Sequence, residues 1–298
     1  MLLQVLIPVY NHECLPLVAD IRMQLPKDCG IIVGDDCSTD TEIEQRNSQI
    51  AEWEQCIYWR SEENLGRAAI RNRLADLASA EYLLFIDCDA MVCSDKFISN
   101  YLSHRDCADV VCGGTGNLTS CPSTKHSLRY KYEIDHEKRM PLSKRQAEPY
   151  SHFTTFNFMI KHAVFNQIRF CEGITGYGHE DTYFGLDLKR NRISILHIEN
   201  KLIHTGIEEN ASYMDKVDIS IRNLQILPKD VRSEVKLSDI GDKLNKSFIC
   251  SIIREFFQLI RKPLRYYLIS SSSPSLTLFN VYRLGEYMRI SRKIPQDR

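Results

Sequence analysis

The first 113 residues alternate between strand-like and helix-like segments at a spacing that leaves few folds open. Apolar runs fall at 2–9, 30–35, 56–59, 81–87 and 109–113, and amphipathic stretches near 12–25, 40–54, 65–79 and 94–103 separate them. Strands separated by helix-length segments cannot pair as hairpins, so this alternation predicts a mainly parallel central sheet with flanking crossover helices, an α/β fold. Segment 114–150 loses the pattern and is rich in Lys, Arg, His and Ser. It reads as a long loop or a helix covering a site, with Leu128, Tyr132 and Ile134 packing inward. Strand signals return at 153–160, 193–198 and 201–204, with a helix near 181–191.

The 298 residues suffice for one large domain, or one domain plus an appendage. With 43% hydrophobic and 26% charged residues the chain reads as soluble and globular, and a net charge of −1 gives no pull toward nucleic acid. No stretch is long and apolar enough to span a bilayer. The run from Leu2 to Val9 is broken by Pro8 and has no basic region before it, so it reads as a first strand rather than a secretory signal. Eleven cysteines, an odd number without a CxxC pair, suggest reduced thiols used as small core residues, among them Cys88, Cys112 and Cys250. That usage points to a cytoplasmic protein, and the spacings are wrong for zinc.

The chemistry-bearing residues gather at the ends of the strand-like runs. The apolar run from Tyr82 to Ile86 ends in Asp87-Cys88-Asp89. Residues i and i+2 of an extended strand point the same way. Asp87 and Asp89 can therefore converge on one cation, with Cys88 facing away. Hard oxygen donors favour Mg2+ or Mn2+, and the carboxyl end of a buried strand is where open α/β sheets bind ligands. Strand one ends in Pro8-Val9-Tyr10-Asn11, where Asn11 is suited to cap a helix. Strand two ends in Gly34-Asp35-Asp36-Cys37-Ser38-Thr39-Asp40. A carboxylate there can accept the imide N–H of a uracil ring, and Ser38, Thr39 or Asp40 can cap the next helix. Capping does not explain two adjacent acids, whose like charges repel.

Asn64-Leu65-Gly66-Arg67 opens the third helical segment, and Arg67 and Arg71 share one face near its start. Cations there oppose the helix dipole unless an anion such as a diphosphate is near. A pair of surface arginines bridged to Glu62 or Asp76 would account for them equally well. Gly173 to Asp181 is a glycine-rich loop that delivers Glu180 and Asp181 to a helix start, which favours the ionised carboxylate that a general base must be. Helix capping is the alternative. Ile203-His204-Thr205-Gly206 ends an apolar run; His204 is either a structural histidine or an imidazole that completes a metal site with Asp87 and Asp89, tilting the preference toward Mn2+.

The last part differs in composition, with eleven Lys/Arg against four Asp/Glu from 241 to 298. An apolar stripe through 247–269 carries basic residues between its Phe and Ile. Pro263 and the serine-rich turn before Pro274 are expected to break it into two helical pieces, which can pair as a hairpin packed on the domain. Such a stripe fits core packing, and it also fits an anionic membrane surface.

Taken in order, PVYN, DDCSTD, NLGRAAIRN, DCD, GYGHED and IHTG resemble the family 2 inverting glycosyltransferases of GT-A fold, over residues 1 to about 210. GYGHED also looks like the acceptor-side motif of galactosyl- and N-acetylgalactosaminyltransferases. The resemblance implies a GT-A catalytic domain at 1–215, with a nucleotide-binding half at 1–113 and an acceptor half at 114–215; the remainder, 216–298, matches no part of that family and reads as a helical C-terminal extension. It implies that Pro8, Tyr10, Asn11 and Asp36 hold the nucleotide and that Asn64, Arg67, Arg71, Asp87 and Cys88 line the same site. Asp89, Asp87 and His204 would hold Mn2+ or Mg2+, and Asp181 would be the general base beside Glu180. Cys37 stands where the family usually has glycine. There is no QxxRW sequence and no membrane span, which separates the chain from processive synthases of the cellulose or hyaluronan type.

The reaction so implied moves a hexose or N-acetylhexosamine from a UDP-sugar to a hydroxyl of a glycan or lipid-linked acceptor, at the inner face of the membrane. Rival readings are a sugar nucleotidyltransferase, which commonly has a glycine-rich first turn that Pro8-Val9-Tyr10-Asn11 lacks, an inactive glycan-binding scaffold, and retaining chemistry on the same fold.

Overall fold

The computed structural model describes residues 1–174 and 176–291. Thr175, inside the glycine-rich loop, and residues 292–298, the end of the basic segment, lie outside the described residues.

The chain forms two compact units. The first comprises residues 1–118, 140–174 and 180–206. Its elements begin β1 (Leu3–Val9), α1 (Leu15–Arg22), β2 (Cys29–Asp35), α2 (Thr41–Ser48), β3 (Cys56–Arg60), α3 (Arg67–Leu77), β4 (Tyr82–Ile86), β5 (Ala90–Met91), α4 (Phe97–Ser103), β6 (Val110–Cys112) and β7 (Thr115–Asn117). After α5 (Ser127–Arg139), which belongs to the second unit, come α6 (Leu142–Ala147), β8 (Asn157–Lys161), α7 (His162–Gln167), α8 (Glu180–Arg190), β9 (Ile195–His197) and β10 (Leu202–His204).

Seven strands form one sheet in the order β3-β2-β1-β4-β8-β6-β9. Only β8 runs against its neighbours β4 and β6, so the expected mainly parallel sheet with flanking helices is present. Both faces are covered, which is why the strands read as continuous apolar runs instead of alternating ones. Along β1, Leu3, Val5, Ile7 and Val9 pack on one side with Leu17, Val18 and Ile21 of α1. Leu6 packs on the other side with Ala68, Leu74 and Ala75 of α3. Below the β4–β8 pair lies an aromatic layer: Phe85 stacks on Phe158 at 5.0 Å, and Phe170 stacks on Phe184 of α8 at 4.3 Å. This layer seats the start of α8 against the sheet. The buried Gln4 is accounted for, since its Oε1 accepts the N–H groups of Ser79 and Ala80.

Strand order reverses between β1 and β4, whose parallel neighbours lie on opposite sides. The loops leaving these two strands diverge there and open a crevice at their carboxyl ends. A small second sheet, β5-β10-β7, lies beyond the end of β4 and pairs His204 with Ala90. The sequence missed β5 and β7 because strands of two and three residues leave no periodicity to read.

The second unit holds, among the described residues, 119–139, 176–179 and 207–291. It contains α5, α9 (Asn210–Ile226), α10 (Lys229–Glu234), α11 (Lys236–Asn245), α12 (Cys250–Ser270) and α13 (Leu276–Ser291). Segment 114–150 is therefore largely helical, with Leu128 buried and Tyr132 and Ile134 half-buried; Tyr132 meets the Phe279 ring edge-on at 5.5 Å. Helices α12 and α13 form the expected hairpin across the serine-rich turn. Pro263 does not break α12, which runs unbroken through it. An interior proline costs a helix about 3 kcal/mol. Burial of Phe257, Leu264 and Leu268 on both sides of it offsets that loss.

Candidate active site

The turn after β2 is built by its own acids. Asp35 is fully buried; its Oδ1 accepts the Ser38 N–H at 2.6 Å and its Oδ2 accepts the Tyr58 hydroxyl at 2.7 Å. Asp36 points elsewhere, accepting the N–H groups of Leu65 (2.7 Å) and Gly66 (2.9 Å) at the start of α3. Burial pushes the Asp36 carboxyl up, against the pull of those two N–H donors. The paired acids are thus reconciled by facing different partners. Asn64 adds a bond from its amide to the Asp36 carbonyl at 3.0 Å. Cys37 adopts φ 62°, so the turn keeps the left-handed geometry that glycine would supply freely.

Asn11 does not cap α1. The N-cap position is Cys14, which caps with no side chain, while its N–H donates to Asn47 Oδ1 at 3.0 Å. Asn11, at φ 49°, instead accepts the N–H groups of Thr39 and Asp40 on Oδ1 and donates its own N–H to Ser38 Oγ. It thereby staples the turn after β1 to the turn after β2, and its left-handed backbone turns the side chain away from α1. Asp40 caps α2. Pro8 lies within β1, and Tyr10 stands exposed just past its end.

Arg67 and Arg71 begin α3, and both have carboxylate partners other than Glu62 and Asp76. Arg71 is 3% exposed; it donates to the Arg67 carbonyl at 2.9 Å and ion-pairs with Asp87. Arg67 pairs with Glu180 at 3.4 Å. Its charge also acts on Asp87 and Asp89. One guanidinium therefore lies within electrostatic reach of the acids after β4 and of the acids opening α8. Cys88 faces away from the acids into the apolar layer under β1, where burial pushes its thiol up.

Asp87 and Asp89 turn to different partners. Burial pushes Asp87 up while Arg71 opposes it. Asp89 meets His204 Nε2 at 3.1 Å, and its main-chain carbonyl accepts the N–H and hydroxyl of Thr205. Burial works against the Asp89 anion, but the bond and charge of His204, with His12 and Arg67 adding, hold its carboxyl below the usual range. The Phe156 ring stands edge-on to His204 at 5.6 Å. Gly206 is required by close approach: a Cβ there would overlap the Asp89 carboxylate. Sequence reading quoted Gly206 and Thr205 without assigning them this task.

No group of three His, Cys, Asp or Glu side chains poised for a metal occurs among the described residues. Asp89 and His204 form a two-donor set, hard oxygen plus imidazole. That chemistry fits Mn2+ or Mg2+, for which Asp89 and His204 would be protein donors.

Asp181 sits in the first turn of α8. Its carboxyl is pushed up to about 6, first by burial and second by the adjacent Glu180, against hydrogen bonds from Thr182. The helix start does not keep it at an ordinary carboxylate value, because desolvation outweighs a dipole effect worth less than about 1 kcal/mol. A base that titrates near 6 is matched to proton abstraction at neutral pH. Glu180 is buried, with Oε1 on Arg67 and Oε2 without a hydrogen-bond partner among the described residues.

An uncharacterized glycosyltransferase from Haemophilus influenzae is 28% identical over 138 residues, 43% of this chain and 55% of that protein. A poly(ribitol-phosphate) beta-glucosyltransferase from Bacillus spizizenii is 31% identical over 121 residues, 38% of this chain and 19% of that protein. The chain spans about half the length of the first curated relative and about a fifth of the second. Among solved structures, S. aureus TarS 1-349 in complex with UDP aligns with TM-score 0.52 at 18% identity, over 96% of this chain and 90% of that one. Mannosyltransferase PcManGT from Pyrobaculum calidifontis, in complex with GDP-Man and Mn2+, aligns with TM-score 0.57 at 13% identity, over 98% and 88%. At these identities the structural likeness speaks for the fold. Residues 4–169, more than half of the chain, match Glycosyl transferase family 2, and the chain belongs to that family.

Proposed function

We propose that the chain is an inverting, non-processive hexosyltransferase. It would move a hexose or N-acetylhexosamine from a UDP-sugar to a hydroxyl of a glycan or lipid-linked acceptor, in the synthesis of a surface polysaccharide or glycoconjugate. The transfer reaction is assigned to residues 1–215 and a supporting role to 216–298. The observation that carries the reading is Arg67, which pairs with Glu180 beside the raised carboxyl of Asp181 while its charge acts on Asp87 and Asp89. A candidate base and a candidate diphosphate site share one cation.

In this reading Tyr10 stacks on the base and Pro8 and Asn11 shape the turn beneath it. Asp36 uses the lone pairs left over from Leu65 and Gly66 to accept the uracil imide N–H. Cys88 and Asn64 fix the walls. Bound Mn2+ or Mg2+, with Asp89 and His204 as its protein donors, would neutralise charge on the departing diphosphate. Arg67 and Arg71 add positive charge on the same side. Asp181 takes the proton of the acceptor hydroxyl as its oxygen bonds to the anomeric carbon. The bond from that carbon to the diphosphate oxygen breaks, and the electron pair leaves with UDP. The free Oε2 of Glu180 is suited to accept a bond from the incoming sugar. General-base assistance is worth about 10²–10⁴ in rate.

Support for a nucleotide-sugar donor comes from the similar structures bound to UDP and GDP-Man. Support for the acceptor class comes from the relative that acts on poly(ribitol-phosphate). No described helix is long and apolar enough to cross a membrane, and contact with the inner membrane face through 241–298 belongs to this same reading. The test is a screen of UDP- and GDP-sugars for hydrolysis and transfer with Mn2+ present. A UDP-hexose should turn over, with the opposite anomeric configuration in the product. Turnover of none by the native chain, with UDP failing to bind, would remove the reading.

A further inference from the structure

We propose that the outward face of α12 is a docking surface for a lipid bilayer rich in anionic phospholipid. The proposal rests on the membrane part of the reading above and needs nothing from the transfer reaction.

Helix α12 is fixed on its inner side. Cys250, Phe257, Leu264 and Leu268 are buried within the helical unit. Two arginines lock its flank: Arg261 binds Glu286 at 2.8 Å and Arg265 binds Asp215 at 2.6 Å. The opposite side carries Phe248, Ile252, Phe256, Leu259 and Tyr266, all exposed, with Phe248 at 94%, Leu259 at 78% and Tyr266 at 74%. Within the helix, Ile252, Phe256, Leu259 and Tyr266, spaced by four, three and seven residues with Pro263 in the same row, form one stripe roughly 21 Å long, which exposed Phe248 in the preceding turn continues. The locked inner face prevents the helix from rolling to hide it. An apolar ridge of this extent marks an interaction surface.

Charge selects the occupant. From Ser247 to Ser291 the chain has two carboxylates against six Lys/Arg: Glu286, which is fully buried between Arg261 and Arg289, and Glu255, which is exposed and lies three residues from Ile252 and four from Leu259. The exposed surface of that segment is therefore apolar and net cationic, with Glu255 as its one exposed acid among the described residues. Lys262, exposed, is three residues from Leu259 and four from Tyr266, so its ammonium flanks the stripe. Exposed Lys246 precedes the stripe by two residues. Apolar side chains between lysines that snorkel to headgroups, with tyrosine near one end, form the pattern of a helix lying in the bilayer interface.

The test is co-sedimentation of the full chain with phosphatidylcholine vesicles, with and without phosphatidylglycerol. The native chain should pellet with the anionic vesicles and largely remain free with neutral ones. Phe256→Glu/Leu259→Glu should lower the partition coefficient about tenfold or more, and Lys262→Glu several-fold on anionic vesicles only. Phe248→Ser, outside the helix, repeats the test where no helical packing is at stake. Circular dichroism and melting should match the native chain for all three. Equal binding by native chain and variants would overturn the proposal. So would a sedimentation-velocity dimer that the double variant dissolves while no form binds vesicles, which would make the ridge a contact between copies. Sugar-nucleotide hydrolysis in vesicle-free solution should be the same for native chain and variants. A chain that binds vesicles but hydrolyses no donor would retain this surface and lose the reaction.

Discussion

The Asp89 carboxylate and the His204 imidazole, 115 residues apart in the chain, meet at 3.1 Å at the end of β4. The small sheet β5-β10-β7 brings them together by pairing His204 with Ala90. Gly206 leaves the space the carboxylate occupies. Gly206→Ala is therefore expected to displace Asp89 while the chain stays folded. In a calorimetric titration with UDP and Mn2+, the variant should lose about tenfold or more in metal-dependent affinity, as should His204→Ala. Unchanged Mn2+ dependence in both would remove the pair from the metal site.

Asp181 gives a prediction in two observables. Its carboxyl titrates near 6 in the folded chain, so kcat should rise with pH through about 6 as the base ionises. Glu180→Gln removes a neighbouring negative charge and should move that limb to lower pH. Asp181→Asn should nearly abolish transfer and leave UDP binding intact. Between about pH 4 and 6 the unfolded chain has released this proton and the folded chain retains it. Stability from this group therefore falls as pH rises through that window, and the full penalty applies above it. Asp181→Asn should accordingly be more stable than the native chain at pH 8, by on the order of 1–3 kcal/mol, with the gain vanishing near pH 4. Chemical denaturation at the two pH values checks the sign.

The buried pair Arg71–Asp87 should show strong coupling. Arg71→Ala leaves the Asp87 charge uncompensated and should cost about 3–5 kcal/mol in urea unfolding. Adding Asp87→Asn should recover part of that loss, since neither charge then remains buried alone. A double-mutant cycle with additive effects would refute the pairing.

Cys37 holds φ 62°, which costs a residue with a Cβ about 1–2 kcal/mol. Cys37→Gly relieves the strain but frees the unfolded chain by up to about 1 kcal/mol, and forfeits the thiol contact to the Glu62 carbonyl. A net gain of about 0.5–1 kcal/mol is expected, with nucleotide affinity unchanged, since the turn geometry is already that of glycine.

Much of the sheet can be read from the chain itself. The runs ending at Val9, Asp35 and Ile86 fall within a residue of β1, β2 and β4, because strands covered on both faces must be apolar throughout. The positions of the acids at those strand ends follow directly. Local pattern also puts the cap of α2 among Ser38, Thr39 and Asp40, of which Asp40 fills it, and turns Cys88 inward between its two neighbouring acids.

Which group each acid meets was decided by tertiary structure. Strand geometry would put Asp87 and Asp89 on one face, but β4 ends at Ile86 and both acids sit in the turn that follows; one is drawn to Arg71 from the preceding helix and the other to His204 from a strand 115 residues later. Nothing local encodes either choice, since an ion pair depends on distance in space. The same holds for Asn11, which spacing suggested as a helix cap and which long-range bonds made a staple between two turns. Pro263 is the converse case: the local rule predicted a break, and burial on both sides of the residue overrode it. The sequence determined the layers and where the reactive groups stand along the strands. The fold decided their partners, and with them which carboxyl is held ionised by an imidazole and which is raised toward neutrality by burial.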